Sequence, residues 1–188
     1  GPYILIAYSY GGIIAFEMAR KLLDMGKEIK MVGIMDTNVS ERVESEQKPG
    51  RVVRFLKRQA KKTIFFGGNL LSSPREVLKY QWTILNRKLN KNFKEAEDEQ
   101  IYDYPMPVIE AYDNAYCKFI LKPLNIKVHL FRVKERTYYV DDRTYLGWLN
   151  YAKKGVAVYD VRGDHKTFIQ PPHNEHLIKM IEKIISTI

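Results

Sequence analysis

The opening 36 residues constrain the fold more tightly than any other part of the chain. Tyr3–Tyr8 (YILIAY) is a short apolar run with no polar alternation, the pattern of a strand buried on both faces. Ser9, Tyr10, Gly11 and Gly12 then make a corner. From Gly11 to Met25 the residues Ile14, Met18, Leu22 and Met25 recur at helical spacing, which predicts a helix with those residues on its core face. Gly26 stands where a left-handed C-terminal cap is expected. Ile29–Met35 (IKMVGIM) reads as a second strand, ending at Asp36. A strand, a helix and a strand in so short a span form a βαβ unit, and that requires a parallel sheet.

The rhythm breaks over about residues 41–104. Val52–Phe66 and Arg75–Leu89 read as basic helices, followed by an acidic patch at Glu95–Glu99, so this stretch is expected to be a helical insertion in an α/β domain. The α/β pattern then returns. Val108–Leu121 reads as a helix, Lys127–Arg132 as a strand, Arg143–Lys154 as a helix and Val156–Val161 as a strand. A loop, Arg162–Gln170, leads to a terminal helix over Asn174–Ile188 with Leu177, Ile181, Ile184 and Ile188 on its core face. The 188 residues are about one domain's worth.

Composition narrows the function classes. The single cysteine, Cys117, excludes an intramolecular disulfide framework and fits a reducing, cytoplasmic setting. Four scattered histidines without cysteine pairs give no zinc pattern, and no metal or redox cofactor is expected. No apolar run approaches the roughly 18–20 residues that span a bilayer, so no membrane association is expected. The net charge of +9 is spread over helices without a nucleic-acid motif, which points to a partner with an acidic surface rather than to nucleic acid.

The corner carries the chemistry. A strand that turns sharply into a helix holds its turn residue in a strained conformation and lifts a serine hydroxyl above the sheet's C-terminal edge, beside the helix N-terminus. Ala7-Tyr8-Ser9-Tyr10-Gly11 is such a nucleophile elbow, G-x-S-x-G, with alanine in place of the first glycine. A serine hydroxyl needs a base, and the base needs an orienting acid. His165 lies in the loop after the last strand, where the base is expected; His129 lies within a strand, and His173 and His176 open the terminal helix. For the acid, Asp36 shares the sheet edge with Ser9, while Asp141 and Asp142 follow the strand Lys127–Arg132; chain order allows either.

These residues resemble the thioesterase domains of nonribosomal peptide and polyketide synthetases, members of the α/β-hydrolase superfamily. The resemblance rests on GPYILIAYSYGGIIAFEMARKL at residues 1–22, IMDT at 34–37, Gly147-Trp148, and GDHKTFIQPPH at Gly163–His173. It implies an α/β-hydrolase fold, a mainly parallel sheet flanked by helices, over residues 1–188, with the 41–104 insertion as a helical lid. It implies Ser9 as nucleophile, His165 as base and Asp36 as acid, with the Tyr10 N–H as an oxyanion donor. It also implies an acyl or peptidyl carrier protein as partner, delivering the substrate as a phosphopantetheine thioester. Another serine ester hydrolase and a non-catalytic acyl-binding module are the rival readings. The family normally carries several strands before the elbow, and the second oxyanion donor comes from among them. Those strands are therefore expected to be missing here, leaving Tyr3–Tyr8 at an open edge and these 188 residues poorly active alone.

Overall fold

In a computed structural model of the protein the described residues are 1–40, 59–67, 75, 78, 82, 85, 106–134, 136 and 138–188. They contain four strands, β1 (Tyr3–Tyr8), β2 (Ile29–Met35), β3 (Val128–Val133) and β4 (Val156–Val161). These pair in chain order, each parallel to the next. The named helices are α1 (Gly11–Asp24), α2 (Met106–Lys118) and α3 (Asn174–Ile185). Among the described residues no helix is long and apolar enough to cross a membrane.

The chain divides into two compact units. Gly1–Ile64 and Leu121–Ile188 form the first, which holds the sheet, α1 and α3; Phe65–Ile120 form the second, which holds α2. Of the two helices expected in the insertion, residues 59–67 and the single positions 75, 78, 82 and 85 are helical. The remainder of that expected lid, including the acidic patch, lies outside the described residues.

Side chains alternate across the strands, so the two faces of the sheet collect different partners. Met31, Phe131, Val133 and Val161 meet Leu177 and Ile184 of α3, together with Phe168, in one cluster. On the opposite face α1 comes down on Ile34 and Thr37. A Cβ on Gly12 would lie 2.9 Å from Ile34 Cγ2 and closer still to Thr37 Oγ1, so only glycine permits that approach. Gly11 is less constrained, since its Cβ would sit 3.5 Å from that of Ala7, an ordinary contact. The alanine in the elbow's first position therefore packs there without a clash.

Three expectations need correction. The core face of α1 is not Ile14, Met18, Leu22 and Met25. The buried residues are Gly12, Ile13, Ala15, Phe16 and Ala19, while Ile14, Met18 and Met25 are 49%, 48% and 68% exposed. The helix carries two apolar stripes, and the one with small residues wins because it lets the backbone reach the sheet. The expected helix Arg143–Lys154 is a run of turns with a 3-10 turn at Trp148–Asn150. Leu146 and Gly147 both have positive φ, 50° and 86°, which no helix tolerates. Gly147 also abuts the backbone of Ser40, leaving no room for a side chain. Finally, the terminal helix stops at Ile185, and Ile188, beyond it, is 40% exposed.

Candidate active site

Parallel pairing in chain order lines up the C-terminal ends of the strands, so the loops that follow them meet along one rim. Ser9 directly follows β1 and Asp36 directly follows β2. Both are non-glycine residues in the left-handed region, with φ of 52° and 54°. Each is held there by a ladder bond that continues past its strand. The Ser9 N–H donates to Met35 O at 2.9 Å, and the Asp36 N–H to Phe131 O at 2.7 Å. The Thr37 hydroxyl donates to Ser9 O, tying the two corners together. Strain of this kind persists where its surroundings fix it.

His165 reaches the same rim from the loop after β4. Ser9 Oγ lies 3.0 Å from His165 Nε2, and His165 Nδ1 lies 2.7 Å from Asp36 Oδ2. The loop is braced from within. Gly163 takes a positive φ of 89°, and Asp164 Oδ1 accepts the N–H groups of Lys166 at 2.8 Å and Thr167 at 2.9 Å. Asp164 N–H in turn donates to Thr167 Oγ1 at 3.0 Å. Tyr8 anchors it from outside, its hydroxyl donating to His165 O at 2.6 Å and its ring 5.1 Å from the imidazole.

Of the two places for an acid, Asp36 is the one bonded to His165. Asp142 instead accepts three backbone N–H groups, from Thr144, Tyr145 and Gly147, each at 3.0 Å, which makes it a turn-forming residue. Asp141 lies beside it in the same loop. His129 is buried within β3 and shares a hydrogen bond with the Tyr159 hydroxyl at 3.0 Å; burial, and then Lys127, lower its pKa. Tyr10 follows Ser9 as the N-cap of α1, in helical geometry, with no acidic side chain in the first turn. The positive end of the helix dipole therefore faces the Ser9 corner.

Sequence reasoning missed Arg136. This arginine is buried, and its guanidinium meets both Asp36 oxygens, Oδ2 from Nη1 at 3.2 Å and Oδ1 from Nη2. Val133 N–H also donates to Asp36 Oδ1, at 3.0 Å. Burial alone would raise the Asp36 carboxyl; the bond to His165, the Arg136 cation and the Val133 N–H outweigh it and hold the carboxyl below its ordinary value. The signal available in the sequence was position, an arginine three residues past a strand whose neighbour ends in the acid.

The depressed Asp36 value has a measurable consequence. A carboxylate whose folded-state pKa lies below its unfolded one contributes stability that is complete above about pH 4 and fades as pH falls through the folded value. Denaturant titrations from pH 6 down to pH 2 should therefore show Asp36→Asn less stable at neutral pH, where it strands Arg136, but with a shallower loss on the acid side. The slope that remains comes in part from Asp164, also held below its ordinary value, against burial, by the N–H groups of its own turn.

The Thioesterase domain family model matches residues 1–185. The chain belongs to that family. The thioesterase domain is also similar, over a shorter stretch, to atromentin synthetase of Tapinella panuoides, with 53% identity over 36 residues. Inactive atromentin synthetase invA3 of Paxillus involutus matches at 56% over 36 residues. Each match covers 19% of this chain and spans 4% of the relative's length. Among solved structures, holo-AB3403, a four-domain nonribosomal peptide synthetase bound to AMP and glycine, has a TM-score of 0.59 at 20% identity. That match covers 98% of this chain and 14% of the other. The NocB thioesterase domain, in covalent complex with a fluorophosphonate nocardicin G analog, has a TM-score of 0.55 at 19% identity, covering 98% and 66%. The fold is thus the α/β-hydrolase fold, a parallel sheet flanked by helices, as in the NocB thioesterase domain.

Proposed function

We propose that this domain releases an acyl or peptidyl chain from a carrier-protein phosphopantetheine thioester through a covalent intermediate on Ser9. The observation that carries the reading is the chain of contacts from Ser9 Oγ to His165 Nε2 at 3.0 Å and from His165 Nδ1 to Asp36 Oδ2 at 2.7 Å. A hydroxyl, an imidazole and a buried carboxylate in that order are what a serine nucleophile needs to lose its proton at neutral pH.

In this reading Ser9 Oγ adds to the thioester carbonyl carbon while His165 Nε2 takes its proton. The negative charge passes to the carbonyl oxygen, where the Tyr10 N–H and the α1 dipole meet it; such a donor is worth about 3–4 kcal/mol in comparable enzymes. Collapse breaks the carbon–sulfur bond, and the leaving pantetheine sulfur takes the proton from His165. Water, or an amine or hydroxyl of the bound chain, then gives its proton to His165 and attacks the ester. Ser9 Oγ leaves with that proton, and the product departs as a free acid or a ring. His165 carries the proton traffic while Asp36 stays ionised and orients it, and these steps call for no metal or redox cofactor.

The +9 charge supports an acidic protein as the deliverer of the substrate, by steering the encounter. The test compares one acyl group on a phosphopantetheinylated carrier, on a small soluble thiol and as an oxygen ester, all with the intact protein. The carrier thioester should give a kcat/KM at least about tenfold above the soluble thioester. That advantage should shrink as salt rises, because screening removes the steering. A preference for the oxygen ester would favour a general esterase instead.

A further inference from the structure

We propose that Arg136 is a positioning residue for this reaction, locking the Asp36 carboxylate in the one orientation that grips His165. The inference rests on the Ser9–His165–Asp36 reading above. An ionised carboxylate offers about four acceptor sites, and here the neighbours take them in pairs. Oδ1 accepts Val133 N–H at 3.0 Å and Arg136 Nη2; Oδ2 accepts Arg136 Nη1 at 3.2 Å and His165 Nδ1 at 2.7 Å. The guanidinium fork thus spans both oxygens and opposes rotation about the Cβ–Cγ bond. Arg136 is in turn fixed by Tyr138, whose hydroxyl accepts a bond from Nη1 and whose ring lies 5.4 Å from the guanidinium carbon.

Burial makes the contact consequential. The side chains of Arg136 and Asp36 are 2% and 0% exposed, so solvent does little to replace the cation if it is removed. Among the described residues the ionisable groups against Asp36 are Arg136, from the loop after β3, and His165, from the loop after β4. Asp36 and His165 share one hydrogen bond, so the imidazole depends on the carboxylate staying ionised as its acceptor. Against burial, the bond to His165 and then the Arg136 cation are among the contacts that hold the Asp36 carboxyl below its ordinary value. Arg136 therefore extends to lower pH the range in which Asp36 stays an ionised acceptor for His165 Nδ1–H.

The experiment is the pH dependence of fluorophosphonate labelling at Ser9 in the intact protein and in Arg136→Gln and Arg136→Lys. In Arg136→Gln the acid limb should move up by about one pH unit or more, and the plateau rate should fall at least about tenfold. Arg136→Lys keeps the charge but loses the fork, so its limb should stay at the parental pH while its plateau falls several-fold. A residue that merely supports the loop would lower the rate without moving the limb. An unmoved limb in Arg136→Gln, a displaced one in Arg136→Lys, or parental rates in both overturn the proposal. Should Arg136→Gln fail to fold, Arg136→Lys still decides, because a parental plateau there contradicts the fork. A parent protein that does not label at Ser9 refutes the Ser9–His165–Asp36 reading and the positioning role with it; a labelled parent with an unmoved limb refutes the role of Arg136 alone.

Discussion

Ser9→Ala and His165→Ala should each lower kcat for thioester turnover by about 10⁴–10⁶-fold, and the double variant should fall no further. In the proposed mechanism the two side chains act as one device. Without the imidazole 3.0 Å away the hydroxyl keeps its proton, and without the hydroxyl the imidazole has no nucleophile to serve. The residual rate would then come from binding and from the charge-stabilising end of α1. Neither residue belongs to the core, so the urea midpoints of both variants should stay near that of the parent. Single-turnover kinetics on the three variants give the answer. Losses that multiply in the double variant would mean that the two residues work independently, against this account.

Trp148→Ala should cost about 3–5 kcal/mol of folding stability and should lower activity as well. The indole is fully buried, with its ring 5.1 Å from Phe16 on α1 and 6.4 Å from Tyr151. Its Nε1–H donates to Thr37 O at 2.7 Å, one residue from Asp36. Thr37 in turn bonds the Ser9 carbonyl. Truncation leaves a cavity beside α1 and a carbonyl without its donor directly beneath the rim. Trp148→Phe separates the two effects, since it refills most of the volume but supplies no N–H; about 1–3 kcal/mol of the loss should remain. Urea denaturation measures both variants. A loss below about 1 kcal/mol for Trp148→Ala would show that the indole does not brace the site.

The strands were legible because short apolar runs write a plain signal, although β1, which reads as a buried strand, has Tyr3 and Ile4 36% and 39% exposed. β1, β2 and β4 have the bounds expected from their mainly apolar runs, Lys30 and Asp160 included, and β3 is displaced by one residue, to Val128–Val133, because Lys127 is the less apolar end. The elbow was legible because few arrangements place an apolar strand, a serine and two glycines ahead of a helix. The face of α1 was not, because Ile14, Met18 and Met25 form as regular a stripe as Ile13, Phe16 and Ala19; backbone proximity at Gly12, a tertiary property, chooses between them. Arg143–Lys154 has helical composition, but the Asp142 carboxylate and the left-handed turn at Leu146-Gly147 override it. Arg136 was invisible for a different reason. In a basic chain an arginine reads as a surface residue until a buried carboxylate is seen beside it.

The most direct test is to quench the intact protein during turnover of an acyl thioester and to map the covalent acyl group by peptide mass spectrometry. The account predicts a single ester-linked acyl group on Ser9, formed faster than it is released and absent from Ser9→Ala and His165→Ala. Full-rate turnover with no acyl group on Ser9, or an acyl group on another residue that survives in Ser9→Ala, would contradict it.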